Sequence, residues 1–179
     1  MTGREALLDP TGMDERTGEG TLAPRPATLR GLTLGLLDNT KPNATALLRA
    51  IESVLREHTE VGEFRLYAKD YFGTPVKDDL LKQIAAECDV VITAVGDCGS
   101  CSAATVADGI CFERAGVPAV SIVSDSFLMS GRAMAKLQGF PGFEFLAAQH
   151  PVASLDSDGL RDRAEALVPQ ILRVLGVSE

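Results

Sequence analysis

The chain has 179 residues, 45% hydrophobic and 23% charged, which suits one globular domain with a sizeable core and excludes wholesale disorder. No stretch approaches the ~20 apolar residues of a membrane helix, and 4 cysteines are too few for a disulfide scaffold. A formal net charge of −8 repels phosphate backbones, so neither nucleic acid nor a membrane surface is an expected partner.

Residues 1–27 are rich in Gly, Pro, Thr and charge and show no period, so they are expected to form a flexible N-terminal arm ahead of a single domain over 28–179. The apolar run Ala6-Leu7-Leu8 stops at Asp9-Pro10, short of the about 7–15 residues of a signal peptide. The expected compartment is therefore the cytoplasm, where thiols stay reduced.

The continuous apolar run Leu32–Leu37 predicts a strand buried on both faces. Leu47, Leu48, Ile51, Val54 and Leu55 then fall at helical spacing over 44–55, with Asn43 as an N-cap. Glu63–Ala68 alternates as a more exposed strand, and Val76–Glu87 reads as a second helix with Leu80, Leu81 and Ile84 inward. Val90–Val95 is the clearest buried strand. Ser102–Ala115 is a third helix closed by Gly116. Pro118–Val123, Ser126–Leu137, Phe143–Ala147 and Asp156–Leu175 complete the series, the last helix with Ser154 or Asp156 as cap. Strict β-α alternation implies parallel strands with right-handed crossovers. The expected fold is a flavodoxin-like, Rossmann-like three-layer αβα sandwich, five strands in the order 2-1-3-4-5.

In such sheets ligands sit outside the carboxyl ends of the strands. The loops to read are therefore Asp38–Asn43, Gly96–Cys101, Ser124–Ser126 and Gln149–Pro151. Cys98-Gly-Ser-Cys101 lies between a buried strand and a helix start, where first-turn amides and the helix dipole favour a thiolate. Gly96 and Gly99 let the backbone turn tightly there. The favoured reading is a reactive Cys98 with Cys101 assisting or resolving. Structural zinc wants four ligands, and a single CxxC supplies half. An inert packed pair is the third reading. Cys88 and Cys111 are expected in the core.

Cysteine catalysis needs a group that handles protons. His58 lies among charges at a helix end and reads as surface, whereas His150 follows the fifth strand and is the expected proton donor or thiolate partner. Asp97 beside a thiol must point away, act on the substrate, or cap the next helix. Asp38, Asn39, Lys41 and Asn43 form a dense polar run. Lys41 suits a substrate carboxylate or a thiolate, and Asn39 and Asn43 suit an oxyanion; an Asx turn plus an N-cap is the plainer alternative. Ser124, Asp125 and Ser126 read as a helix start and then as ligand contacts, alongside Gly99 and Ser100. Arg132 reads as a surface residue that can reach an anion. No G-x-S-x-G elbow, G-x-x-x-x-G-K-S/T loop or G-x-G-x-x-G turn is present, so NAD, FAD and ATP have no sequence support. FMN leaves no motif to test, and without Trp and with 2 Tyr its stacking is poorly supplied. No cofactor or metal is expected, and self-association stays open.

Gly96-Asp-Cys-Gly-Ser-Cys101 resembles the signature of the UGSC-motif family, many members of which carry selenocysteine where Cys98 stands here. Leu36-Leu-Asp-Asn-Thr-Lys-Pro-Asn43, Cys88-Asp-Val-Val-Ile92, Glu113-Arg-Ala-Gly-Val-Pro118 and His150-Pro151 extend the resemblance in order along the chain. More distantly, residues 90–151 are similar to the substrate-activating selenoprotein B of glycine, sarcosine and betaine reductases. That likeness implies a chalcogen nucleophile that attacks a small activated carbon and forms a covalent intermediate. With Cys at 98, a thiolate is a poorer leaving group than a selenolate, so easier electrophiles such as thioesters, nitriles or Michael acceptors are implied. The expectation is an enzyme whose Cys98 attacks a small carboxylate- or acyl-bearing metabolite. A thiol–disulfide oxidoreductase using Cys98 and Cys101 is the alternative, and a non-catalytic binding module is the third.

Overall fold

The structure, a computed structural model, describes residues 20–177. Strand β1 (Thr33–Asp38) leads to helix α1 (Ala44–His58), β2 (Glu63–Ala68) to α2 (Asp78–Glu87), and β3 (Val90–Gly96) to α3 (Gly99–Arg114). β4 (Ala119–Ser124) runs through a 3-10 turn (Asp125–Phe127) into α4 (Leu128–Leu137), and β5 (Leu146–Ala148) precedes α5 (Ser157–Leu175). All strand pairs are parallel, in the order β2-β1-β3-β4-β5. This is the predicted flavodoxin-like order.

The layers follow from alternation along the strands. Leu34 and Leu36 of β1, Val90 and Ile92 of β3 and Val120 and Ile122 of β4 pack with α1 and α5. Their neighbours Leu37, Val91 and Ala119 turn the other way, toward Ile84 of α2 and Phe112 of α3. All seven β3 residues are buried, which is why its run is continuous rather than alternating. Each fully buried Leu or Ile contributes roughly 1.5–3 kcal/mol relative to an exposed one. β2 is the half-exposed edge strand its alternation predicts.

Several boundaries shift for identifiable reasons. α2 starts at Asp78, not Val76, because the Val76 N–H is drawn out to a carboxylate oxygen of Asp108 on α3, at 2.6 Å. β5 is shorter than predicted and starts at Leu146, because Phe143 packs with Phe140 under α4 instead of joining the sheet. α5 takes Asp156 as its cap, the side chain accepting from the Gly159 N–H at 2.9 Å. Gly116 closes α3 at φ 83°, with Gly116 and Val117 amides returning to Glu113 and Phe112 carbonyls. Most of the predicted arm lies outside the described residues. Within its last residues, 20–27, the buried Glu113 carboxylate accepts from the Ala23 N–H and the Arg25 guanidinium, both at 2.7 Å.

No helix among the described residues is long and apolar enough to cross a membrane.

Candidate functional site

The site grows from the end of β3. A Cβ at Gly96 would lie 2.6 Å from the Ser102 Cα, so glycine is what lets the first turn of α3 rest against the strand end. Three residues earlier than predicted, α3 begins at Gly99, and its N-cap is Cys98 in extended conformation. The cap acceptor is sulfur: Cys98 Sγ accepts from the Cys101 N–H at 3.3 Å. Asp97 therefore does not cap this helix. The Cys98 sulfur occupies the position usually held by a Ser or Asp oxygen, where the amides and dipole of a 16-residue helix favour negative charge. Cys98 is half-buried, Cys101 is fully buried, and the Ser100 hydroxyl lies 3.8 Å from Cys98 Sγ. The two sulfurs are in disulfide contact, with Cα atoms 5.4 Å apart.

Asp97 turns away from the sulfur toward the end of β5. One carboxylate oxygen lies 2.9 Å from His150 Nδ1, and the other accepts from the Val152 and Ala153 N–H groups at 3.1 and 2.9 Å. Burial pushes this carboxyl up. The Ala153 amide, the Ser124 hydroxyl, the Val152 amide and His150 together outweigh burial and hold it below the ordinary carboxylate range. The Asp97 side chain is 2% exposed and that of His150 37%, so the pair runs from the interior to the surface. Ser124, at the end of β4, lies 3.3 Å from His150 Nδ1 and donates to the Gly96 carbonyl at 3.3 Å. Asp125 accepts from the His150 N–H at 3.1 Å and from the Ser126 hydroxyl. The expected helix-start residues thus serve the His150 loop, and none of Ser124's bonds caps α4.

The first loop supplies scaffold. Asn43 sits at the head of α1 with φ 66°, but its side chain makes no cap. Its amide instead donates to the Val152 and Leu155 carbonyls at 3.0 and 2.8 Å, binding the β1–α1 loop to the β5–α5 loop. The buried Asn39 amide donates to the Val95 carbonyl and Thr105 hydroxyl, and its oxygen accepts from the Val95 and Lys41 N–H groups. The side-chain amides of Asn39 and Asn43, expected to serve an oxyanion, are therefore both already engaged. Asp38 accepts from the Thr40 N–H and the Thr45 hydroxyl. Lys41 lies over the Phe72 ring, 4.3 Å from its centroid, on the side of the β2–α2 loop. His58 and Arg132 are exposed.

Loops from β1, β3, β4 and β5 are thus cross-linked around His150, and the segment carrying Cys98 directly follows Asp97. The model of the UGSC family matches residues 6–177. The chain belongs to the UGSC family. No curated protein matches it.

In this UGSC family member, two neighbours of the site are not apparent from the sequence. Phe127 meets the His150 ring edge-on, with centroids 5.6 Å apart. A Cβ at Gly99 would lie 3.7 Å from the Ser130 hydroxyl of α4, which places that hydroxyl beside the head of α3. Phe127 lies in the turn directly after β4, so its place at a strand end was the available signal; Ser130 lies on α4, where the sequence carries none. Cys88 is buried and Cys111 half-buried, both packed with α2 and α3 residues. Burial is the main cause that pushes both thiols above the ordinary range. No group of three or more His, Cys, Asp or Glu side chains suited to a metal ion occurs among the described residues.

Proposed function

We propose that this protein is a cysteine-dependent enzyme in which Cys98 attacks an electrophilic carbon of a small carboxylate- or acyl-bearing metabolite. The observation that carries the reading is the pairing of a helix-capping Cys98 with an Asp97–His150 couple rooted one residue earlier. In the first step the Cys98 thiolate donates its electron pair to the carbon. The S–C bond forms and the bond to the leaving group breaks. The departing group takes its proton from His150, which Asp97 orients; water or a second substrate then attacks the same carbon and gives its proton to the imidazole as the S–C bond breaks and the Cys98 thiolate leaves. The amides at the head of α3 support negative charge at the sulfur and on the developing oxyanion. The Cys98 position, occupied by selenocysteine in many proteins of the resembled motif, and the distant likeness to selenoprotein B favour a covalent intermediate. A small-molecule substrate, the cytoplasm, and neither nucleic acid nor membrane as partner complete the reading. Cys98→Ser should abolish turnover and rapid labelling by iodoacetamide; turnover that survives this change overturns the proposal.

The disulfide contact of Cys98 with Cys101 favours a second reading, a thiol–disulfide oxidoreductase. Mass spectrometry after mild oxidation separates the two. A loss of about two daltons on this peptide, with Cys101→Ala inactive, fits redox cycling. Partial turnover of Cys101→Ala fits nucleophilic catalysis.

A further inference from the structure

A cavity of about 460 Å³ opens at the end of β2, well away from Cys98. Lys69, a lining residue with a buried side chain, pairs with Asp108, which lies ten residues down α3 from Cys98, about 15 Å along the helix. The walls include Ala68, Tyr71, Pro75 and Leu80. Asp70 and Lys77 form an ion pair across the loop at 2.5 Å, and Val76 is anchored to Asp108. Tyr71 is 53% exposed at the rim, and a Cβ at Gly73 would lie 2.7 Å from its ring, so glycine is needed for the ring to lie where it does.

The polar anchor is Lys69. Its side chain is 3% exposed, yet its ammonium makes one hydrogen bond among the described residues, to Asp108 at 2.6 Å. An ammonium has three donors, and a buried one with unused donors favours an acceptor beside it. The charge balance decides what kind. Asp108 offsets Lys69 and Asp70 offsets Lys77, while Asp79 lines the cavity and forms no ion pair among the described residues. A carboxylate entering here meets surplus negative charge. A neutral carbonyl oxygen can take a donor of Lys69 without bringing further negative charge beside Asp79.

We propose that this cavity is a second ligand site, taking a small uncharged molecule with an aromatic or aliphatic body and one hydrogen-bond acceptor directed at Lys69. The apolar walls and exposed Tyr71 ring receive the body, and the volume falls within the roughly 300–1,000 Å³ of small-molecule sites. The site does not depend on the chemistry proposed for Cys98.

Benzamide and benzoate, matched in shape and differing in charge, are the probes. Titrated into the full chain, benzamide should produce saturable shifts of the Ala68 and Val76 amide signals in nitrogen–proton correlation spectra. Its affinity should fall about tenfold in Thr74→Trp, which fills the exposed rim, and by a similar factor in Lys69→Met/Asp108→Asn, which removes donor and counter-charge together. Benzoate should bind more weakly than benzamide, and Cys98→Ser should leave the benzamide titration unchanged. Absence of saturable shifts, unchanged binding in Thr74→Trp, or tighter binding of benzoate overturns the proposal.

Discussion

An Asp97 carboxylate oxygen lies 2.9 Å from His150 Nδ1, although β3 and β5, whose ends carry these residues, are not neighbours in the sheet. β4 runs between them and contributes Ser124, 3.3 Å from the same nitrogen. A carboxylate accepts and cannot donate, so the neutral imidazole carries its proton on Nδ1 and leaves Nε2 as an acceptor. In Asp97→Asn this preference should weaken. Long-range nitrogen–proton spectra of the two ring nitrogens report it directly, and an unchanged tautomer would remove Asp97 from its positioning role.

The same carboxylate links stability to pH. Its hydrogen bonds depress the folded-state value below the unfolded one, so its contribution is present above the ordinary Asp value of ~3.9 and is lost as pH falls through the folded value. Asp97→Asn should be about 1–3 kcal/mol less stable than the parent at pH 7 in urea. That gap should close as the pH drops well below 4. A gap that persists unchanged in acid would contradict the assignment.

Thiol reactivity should divide the cysteines. In reduced protein near neutral pH, Cys98 should take up iodoacetamide at least about tenfold faster than Cys88 or Cys111, whose thiols burial pushes up. Peptide mapping over a time course checks the order. Cys88 modified as fast as Cys98 would be incompatible with a specially reactive Cys98.

The two glycines of the cysteine loop should behave differently. Gly96→Ala places a Cβ against the backbone of α3 and should cost about 1–3 kcal/mol while slowing Cys98 labelling. Gly99→Ala meets nothing closer than the Ser130 hydroxyl at 3.7 Å and exchanges a poor helix former for a good one. Thermal melts of the two variants should therefore separate, with Gly99→Ala at or above the parent.

Lys69→Met strands the buried Asp108 carboxylate and should cost roughly 3–5 kcal/mol, whereas Lys69→Met/Asp108→Asn should recover much of that loss. Denaturant unfolding of both variants measures it. Equal destabilisation of the single and double changes would mean the pair is not coupled.

Strand order was legible because β1, β3 and β4 are buried on both faces and announce themselves as continuous apolar runs. The start of α3 was not, since Gly99 and Ser100 are weak helix formers and the cap is a sulfur rather than a side-chain oxygen. Asn43 had the right residue type for a cap, but its partners are more than a hundred residues away, at Val152 and Leu155, where local pattern carries no information. Lys69 and Asp108 escaped notice for the opposite reason. Lone charges ordinarily read as solvated, and only the tertiary structure brings these two together inside. The sequence places His150 after a strand and Asp97 beside Cys98, and only the tertiary structure brings the two side chains together.

The loop after β5 is held through its main chain. Amides of His150, Val152 and Ala153 donate to Asp125 and Asp97, and carbonyls of Val152 and Leu155 accept from Asn43. A grip of this kind depends little on which side chains the gripped residues carry. Position 153 can therefore vary widely in size and polarity, and position 152 within apolar limits set by its burial. Proline is the substitution neither can accept, because it alone removes the N–H on which the grip depends. For this stretch of chain, the heritable constraint on His150's setting is written in two aspartates and an asparagine that lie elsewhere in the sequence.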